Sequence, residues 1–135
     1  MMNILFLLLP KQEVDYCYSD WSARQVLEKM RAHRYSMIPI LDKESGKYIR
    51  SITDGDILRV ILDMRIDFDE LEQLPLSKIP SRRDIKAVSI VADENDIIST
   101  VINQNYVPVV DDKGTFIGIV TRKRILSDLL KDKKG

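Results

Sequence analysis

A chain of 135 residues, 44% hydrophobic and 31% charged, has the size and make-up of one globular domain or of two small halves sharing a core. Lys and Arg number 21 and Asp and Glu also 21, so no excess of positive charge is available to hold a nucleic acid polymer. The one cysteine, Cys17, excludes an internal disulfide, and with the one histidine, His33, it makes no zinc-binding set; both fit a reducing cytoplasm.

The first element is the apolar run from Asn3 to Leu9. It has no basic start and no small-residue cleavage site, it stops at Pro10, and it is too short to cross a bilayer. An apolar arm that packs on the body of the fold or on a partner chain is expected. Val14-Asp15-Tyr16-Cys17-Tyr18 carries β-branched and aromatic residues and reads as a short strand. Ser22 with Gln25 three residues on is a capping box, and Ala23, Val26, Leu27 and Met30 then share one helical face. His33 and Arg34 end that helix, where cations suit the dipole; a phosphate contact is the other reading.

Strands follow at Met37-Ile38-Pro39-Ile40-Leu41-Asp42 and from Tyr48 to Thr53, joined by a turn at Lys43-Glu44-Ser45-Gly46. Pro39 lacks a ladder donor and is expected at a sheet edge or strand start. A helix begins directly after Thr53, with Ile57, Leu58, Ile61 and Leu62 as its apolar positions. The stretch from Asp63 to Leu76 is acidic (Asp63, Asp67, Asp69, Glu70, Glu72) and reads as the helix end plus a surface connector.

The order then repeats. Lys78-Ile79-Pro80-Ser81 matches Leu8-Leu9-Pro10-Lys11, and Ile85 to Val91 is the next strand. Asp93 or Asn95 caps a helix striped by Ile97, Ile98, Val101 and Ile102. Asp93 to Pro108 is shorter than Asp20 to Pro39, so this helix is expected to be about one turn shorter. Tyr106-Val107-Pro108-Val109-Val110-Asp111, a turn at Asp112-Lys113-Gly114, and Thr115 to Thr121 complete the second strand pair. The closing helix places Ile125, Leu126, Leu129 and Leu130 where the first half has Ile57, Leu58, Ile61 and Leu62. Lys131-Asp132-Lys133-Lys134 reads as a solvated end. Each half is strand, helix, strand, strand, helix.

This pattern resembles a tandem CBS-domain protein, the module first named in cystathionine β-synthase. The likeness rests on Met37-Ile38-Pro39-Ile40-Leu41-Asp42 through Thr53-Asp54-Gly55-Asp56, and on Val107-Pro108-Val109-Val110-Asp111 through Gly118-Ile119-Val120-Thr121. It spans roughly residues 8 to 130. The resemblance implies an α+β fold of two βαββα repeats packed through their sheets with pseudo-twofold symmetry. The expected division is a first repeat with its arm over residues 1–66, a connector over 67–77, and a second repeat over 78–135. The resemblance also implies clefts between the repeats that take AMP, ADP, ATP, S-adenosylmethionine or a cyclic dinucleotide as a regulatory ligand, with no cofactor required. Modules of this family commonly pair, so a homodimer is expected, helped by the surplus of apolar residues on the closing helices.

The residue chemistry suits such a ligand. A strand ending at Thr and opening a helix offers free N–H groups and partial positive charge. Asp one turn on can accept from both hydroxyls of a ribose. The first site is thus expected at Thr53 and Asp56, with Tyr16, Tyr18, Met37, Ile38 and Pro39 lining an adenine slot. Thr53 and Asp56 are equally a helix cap. In the second half Arg124 replaces the Asp, and Arg122-Lys123-Arg124 puts three cations on a first turn, a solvated basic turn or a phosphate contact. Its weaker site would comprise Val88, Tyr106, Val107, Pro108, Thr121, Arg122, Lys123 and Arg124. Arg82 and Arg83 are a further phosphate candidate or an exposed linker pair. Arg50 stands where the second half has Gly118, and either narrows the first cleft or points outward. Asn103-Gln104-Asn105-Tyr106 is expected to shape a smaller second pocket.

No Gly-rich phosphate loop, nucleophile triad or metal cluster is present, so no catalysis and no metal are expected. Two functions remain: a stand-alone cytoplasmic regulatory module that signals to a separate effector protein, with no effector domain expected at either end, or a structural dimer that has lost its ligand.

Overall fold

A computed structural model describes residues 4–134, with side chains as far as residue 131. Asn3 of the arm and the side chains of Asp132, Lys133 and Lys134 of the tail lie outside the described residues. The chain forms two compact units. One is Asp15–Asp84; the other combines the segment ending at Val14 with the chain from Ile85 on.

In the Asp15–Asp84 unit, β2 (Cys17–Tyr18), α2 (Ala23–His33), β3 (Met37–Leu41), β4 (Tyr48–Thr53) and α3 (Asp54–Met64) follow in order. The sheet runs β2-β3-β4, with β2 parallel to β3 across the α2 crossover and β3 antiparallel to β4. The capping box at Ser22 is formed: its hydroxyl accepts from the Gln25 N–H at 3.3 Å and Gln25 Oε1 accepts from the Ser22 N–H at 2.9 Å. Ala23, Val26 and Met30 then face the core together with Ile38, Ile40, Ile52, Ile57 and Val60.

The other unit contains α1 (Ile4–Leu7), β1 (Leu9–Pro10), β5 (Val88–Ser89), α4 (Glu94–Ile102), β6 (Tyr106–Val110), β7 (Phe116–Thr121) and α5 (Arg122–Lys134). Its sheet runs β1-β7-β6-β5. Asp93, the first of the two candidate caps, holds the Asp96 N–H at 2.9 Å. The core comprises Val88, Ile97, Val101, Val107, Val109, Val120 and Ile125, with Ile4 and Leu7 of the arm. The arm packs on the strands of this second repeat, although it precedes the first in sequence. Strand β1 pairs Leu9 with Ile119 and Pro10 with Gly118.

The duplication extends to irregularities. Both hairpins shift register at one place, between Ile40 and Leu41 and between Val109 and Val110. Both turns begin at an acceptor carboxylate. Asp42 holds the Ser45 hydroxyl and N–H, and Asp111 holds the Lys113 and Thr115 N–H groups, so each carboxyl titrates below its ordinary range. Gly46 and Gly114 close these turns with φ of 74° and 84°.

Three expectations are corrected. Pro39 and Pro108 are neither at a sheet edge nor at a strand start; each is the middle residue of a central strand. The short β2 and β5 reach only Ile40 and Leu41, and only Val109 and Val110, so each proline sits just before its strand gains a second partner. Helix α4 has 9 residues to the 11 of α2, about half a turn less rather than a full one. The connector is not a surface segment. It winds into 3₁₀ turns at Asp69–Gln73 and Leu76–Lys78, and Leu71, Leu74, Leu76 and Ile79 are buried in the first unit's core. Among the described residues no helix is long and apolar enough to cross a membrane.

Candidate functional site

At the head of α3 the expected pair forms a reciprocal cap. Thr53 Oγ1 accepts from the Asp56 N–H at 3.0 Å and Asp56 Oδ2 accepts from the Thr53 N–H at 3.0 Å. The backbone of Asp54 is also tied to the preceding loop, donating to the Ser36 carbonyl at 3.0 Å. Asp56 is only 3% exposed. Its second oxygen, Oδ1, accepts from the Arg82 N–H at 3.3 Å and lies 3.8 Å from Arg59 Nη1.

The β register sorts the other first-site candidates. Met37 is opposite Thr53, and Ile38 opposite Ile52, so these stand at the Thr53 end of the sheet. Ile38 and Pro39 are buried, Ile38 within the core. Tyr18 is level with Leu41 at the other end of β3, four residues from Met37, or about 13 Å at strand rise. Tyr16 and Tyr18 stack edge to face with centroids 5.6 Å apart, and the Tyr16 phenol titrates above its ordinary value through its contact with Tyr18 and burial. Lys29 donates to the Tyr16 carbonyl at 3.0 Å and lies over the Tyr16 and Trp21 rings. The structure therefore joins Met37, Thr53 and Asp56, and sets Tyr18 apart from them. Cys17 between the tyrosines is fully buried; burial pushes its thiol up to about 12 against the pull of Lys29 and Arg50, which leaves it protonated and unreactive.

The second head is built differently. Thr121 Oγ1 accepts from the Arg124 N–H at 3.1 Å, with no carboxylate to return the bond. Thr121 is opposite Tyr106, and Val107 opposite Val120; Val88 is further along, beside Val109. Tyr106, Val107, Pro108 and Val88 are all buried. Lys123 and Arg124 border a cleft of about 310 Å³ with Leu7, Leu9, Thr121 and Ser127, and Arg124 Nη2 reaches the Phe6 carbonyl at 3.4 Å.

Arg122 turns away to the end of α4. Its guanidinium donates to the carbonyls of Val101 at 3.1 Å, Ile102 at 3.3 Å and Gln104 at 3.0 Å. A cation on the last carbonyls of a helix satisfies both their lone pairs and the dipole. Gln104 is also structural. Buried beside β6, it accepts from the Lys86 N–H at 2.8 Å and donates to the carbonyls of Lys86 and Tyr106.

Arg50 does not point outward and idle. It grips the connector, donating from Nη1 to the Ser81 hydroxyl and from Nη2 to the Leu76 carbonyl at 2.8 Å. The Ser81 hydroxyl donates to the Ser51 carbonyl at 3.3 Å, and Tyr48 shares a 2.8 Å hydrogen bond with the Ser51 hydroxyl. Burial pushes the Tyr48 phenol up to about 12, partly offset by that bond. The sequence carried a signal for this clamp in the exchange of Gly118 for Arg50 between repeats, but not its direction. Arg82 and Arg83 are exposed, and it is the backbone of Arg82 that meets Asp56.

Comparison with known proteins agrees with this architecture. The profile of the CBS domain matches residues 8–63 and 76–131. A CBS domain-containing protein of Dictyostelium discoideum is 30% identical over 139 residues, covering 96% of this chain and 94% of its own. Among solved structures, the CbpB protein of Listeria monocytogenes in complex with c-di-AMP superposes with a TM-score of 0.82 at 24% identity, over 98% of each chain. CBSX2 in complex with AMP superposes with a TM-score of 0.71 at 22% identity, over 98% of this chain and 99% of its own. With two copies of the repeat matched in order across most of its length, the chain belongs to the CBS-domain family.

Proposed function

We propose that this chain is a regulatory CBS pair that binds an adenosine-containing nucleotide at the head of α3, with the ribose on Asp56, and signals to a separate protein in the cytoplasm. One observation carries the reading. The residues whose side chains cap the helix starts, Ser22, Thr53, Asp93 and Thr121, are exposed or half-buried, and Gln25, which returns the bond to Ser22, is exposed, but Asp56, which returns the bond to Thr53, is buried. A cap does not require a buried carboxylate, and a buried carboxylate at a helix head is a group suited to a specific ligand. The bound c-di-AMP and AMP of the two structural relatives supply the ligand class. In this reading the second head, with Lys123 and Arg124 but no carboxylate, takes phosphate rather than ribose, and the chain performs no chemistry.

Binding raises the melting temperature by mass action. Titration with AMP, ADP, ATP, S-adenosylmethionine and cyclic di-AMP near millimolar concentration is expected to give a shift with at least one of them. Asp56→Ala is expected to weaken that binding tenfold or more, on the order of one charged hydrogen-bonding contact. A lack of shift with all five, in the wild-type chain and in Ser81→Ala alike, refutes the reading and leaves the second one, an assembly module without a ligand. That alternative draws on the same geometry: both Asp56 oxygens already have protein partners.

The two units also expose matching leucine pairs, Leu58 and Leu62 on α3 and Leu126 and Leu130 on α5. Leu58 borders a mostly apolar groove of about 300 Å³ with Leu27, Ile57 and Ile61. Paired apolar faces of this kind support a homodimer. Light scattering is expected to give twice the chain mass; a mass of one chain at all concentrations would rule the dimer out.

A further inference from the structure

The carboxylate proposed to hold a ribose is closed off by the chain itself. At 3% exposure Asp56 can touch no ligand until something moves. Lone pairs are not the obstacle, since a carboxylate offers about four and few are used. The obstacle is access: the Arg82 N–H sits on Oδ1, with Arg59 Nη1 3.8 Å from the same atom.

The segment that carries this N–H is exposed between two buried anchors, Ile79 before it and Ile85 after it. Leu76 and Ile79 are buried in the core, whereas Pro80, Arg82, Arg83 and Asp84 are exposed and Ser81 half-exposed. Its bonds include those from Arg50 to Ser81 and to the Leu76 carbonyl, from Ser81 to the Ser51 carbonyl at 3.3 Å, and from Arg82 to Asp56 at 3.3 Å. The last two are long for their kinds. The corresponding segment of the other unit, Leu9–Pro10, is held by strand pairing against Ile119 and Gly118. Gly118 permits that backbone approach. Arg50, in the equivalent place, substitutes a side-chain clamp.

We propose that residues 80–84 are a latch over the Asp56 site, held shut by Arg50 and Ser81, and that nucleotide binding at Asp56 displaces the Arg82 N–H and releases the latch. The proposal rests on the reading of Asp56 as a ribose acceptor and adds how that site is regulated. Ligand and latch compete for Oδ1, so by linkage each weakens the other. Loosening the latch raises the binding-competent fraction and tightens apparent affinity by the same factor. Release also moves Arg82 and Arg83, which gives a partner protein a signal to read.

Two measurements test this in the full chain, with AMP and cyclic di-AMP as probes. Amide hydrogen exchange over residues 80–84 is expected to speed up about fivefold or more when the bound probe saturates the protein. Calorimetry is expected to show Ser81→Ala binding the same probe about threefold to tenfold more tightly than wild type, with Arg50→Ala as a second loosened variant should one of them fold poorly. Binding seen only in the loosened variants also supports the latch. Binding with exchange over 80–84 unchanged or slower, and with Ser81→Ala no tighter, overturns the latch while the ribose site stands. No binding of either probe to wild type, Ser81→Ala or Arg50→Ala overturns the latch together with the nucleotide reading of Asp56.

Discussion

Gly118→Ala is expected to destabilise the protein by about 3 kcal/mol or more, lowering its melting temperature by roughly 10 °C. A Cβ at Gly118 would collide with the Leu9 carbonyl oxygen and lie 2.9 Å from Leu8 Cδ1. The first of these neighbours is backbone and cannot swing aside. The residue also has φ of 158°, which side-chain-bearing residues rarely adopt, adding about 1 kcal/mol or more of strain. Alanine therefore either holds the backbone in strain or unpairs β1 from β7, which withdraws Ile4 and Leu7 from the core they help to fill. Thermal and urea unfolding of the two proteins measure the cost. A loss under about 1 kcal/mol would mean that the arm does not lie against β7 at this distance.

Leu71→Ala is expected to cost about 3 kcal/mol, while Glu72→Ala, its neighbour, is close to neutral. Leu71 is fully buried among Val26, Met30 and the other core residues of its unit. Glu72 is largely exposed and makes one 3.5 Å ion pair with Arg24. Urea unfolding distinguishes the two roles of the connector. If the segment lay on the surface, both substitutions would be near neutral; as part of the core, only the leucine is sensitive.

That contrast shows where the sequence was readable. Periodicity and caps are local signals, and they located α2 through Ser22 and Gln25, the two hairpins, and the helices after Thr53 and Thr121. The duplication made these signals mutually supporting, since each element had a second copy in the same order. The connector has no such pattern. Leu71, Leu74, Leu76 and Ile79 are spaced by three, two and three, which fits neither strand nor helix, and the five acidic residues around them suggested solvent. Pro39 and Pro108 were misjudged because edge placement depends on how far β2 and β5 extend, and those strands are only two residues long. The direction of a long side chain was also hidden. Arg122 and Arg124 are two residues apart on one helix, yet one closes α4 and the other borders a cleft. The Thr53 and Asp56 pair was legible as a motif, but the burial of Asp56 under Arg82 depends on a chain segment 26 residues away.

The asymmetry of the two repeats is the centre of the account. Thr53 is returned by a buried carboxylate, whereas Thr121 is followed by the donor Arg124. The direct measurement is a titration of the ¹⁵N-labelled protein with AMP, followed by amide chemical shifts. The largest changes are expected at Thr53, Asp56, Ile57 and Arg82, with smaller ones at Thr121, Lys123 and Arg124. Saturable changes confined to residues 121–127, leaving Asp56 and Arg82 in place, would contradict it.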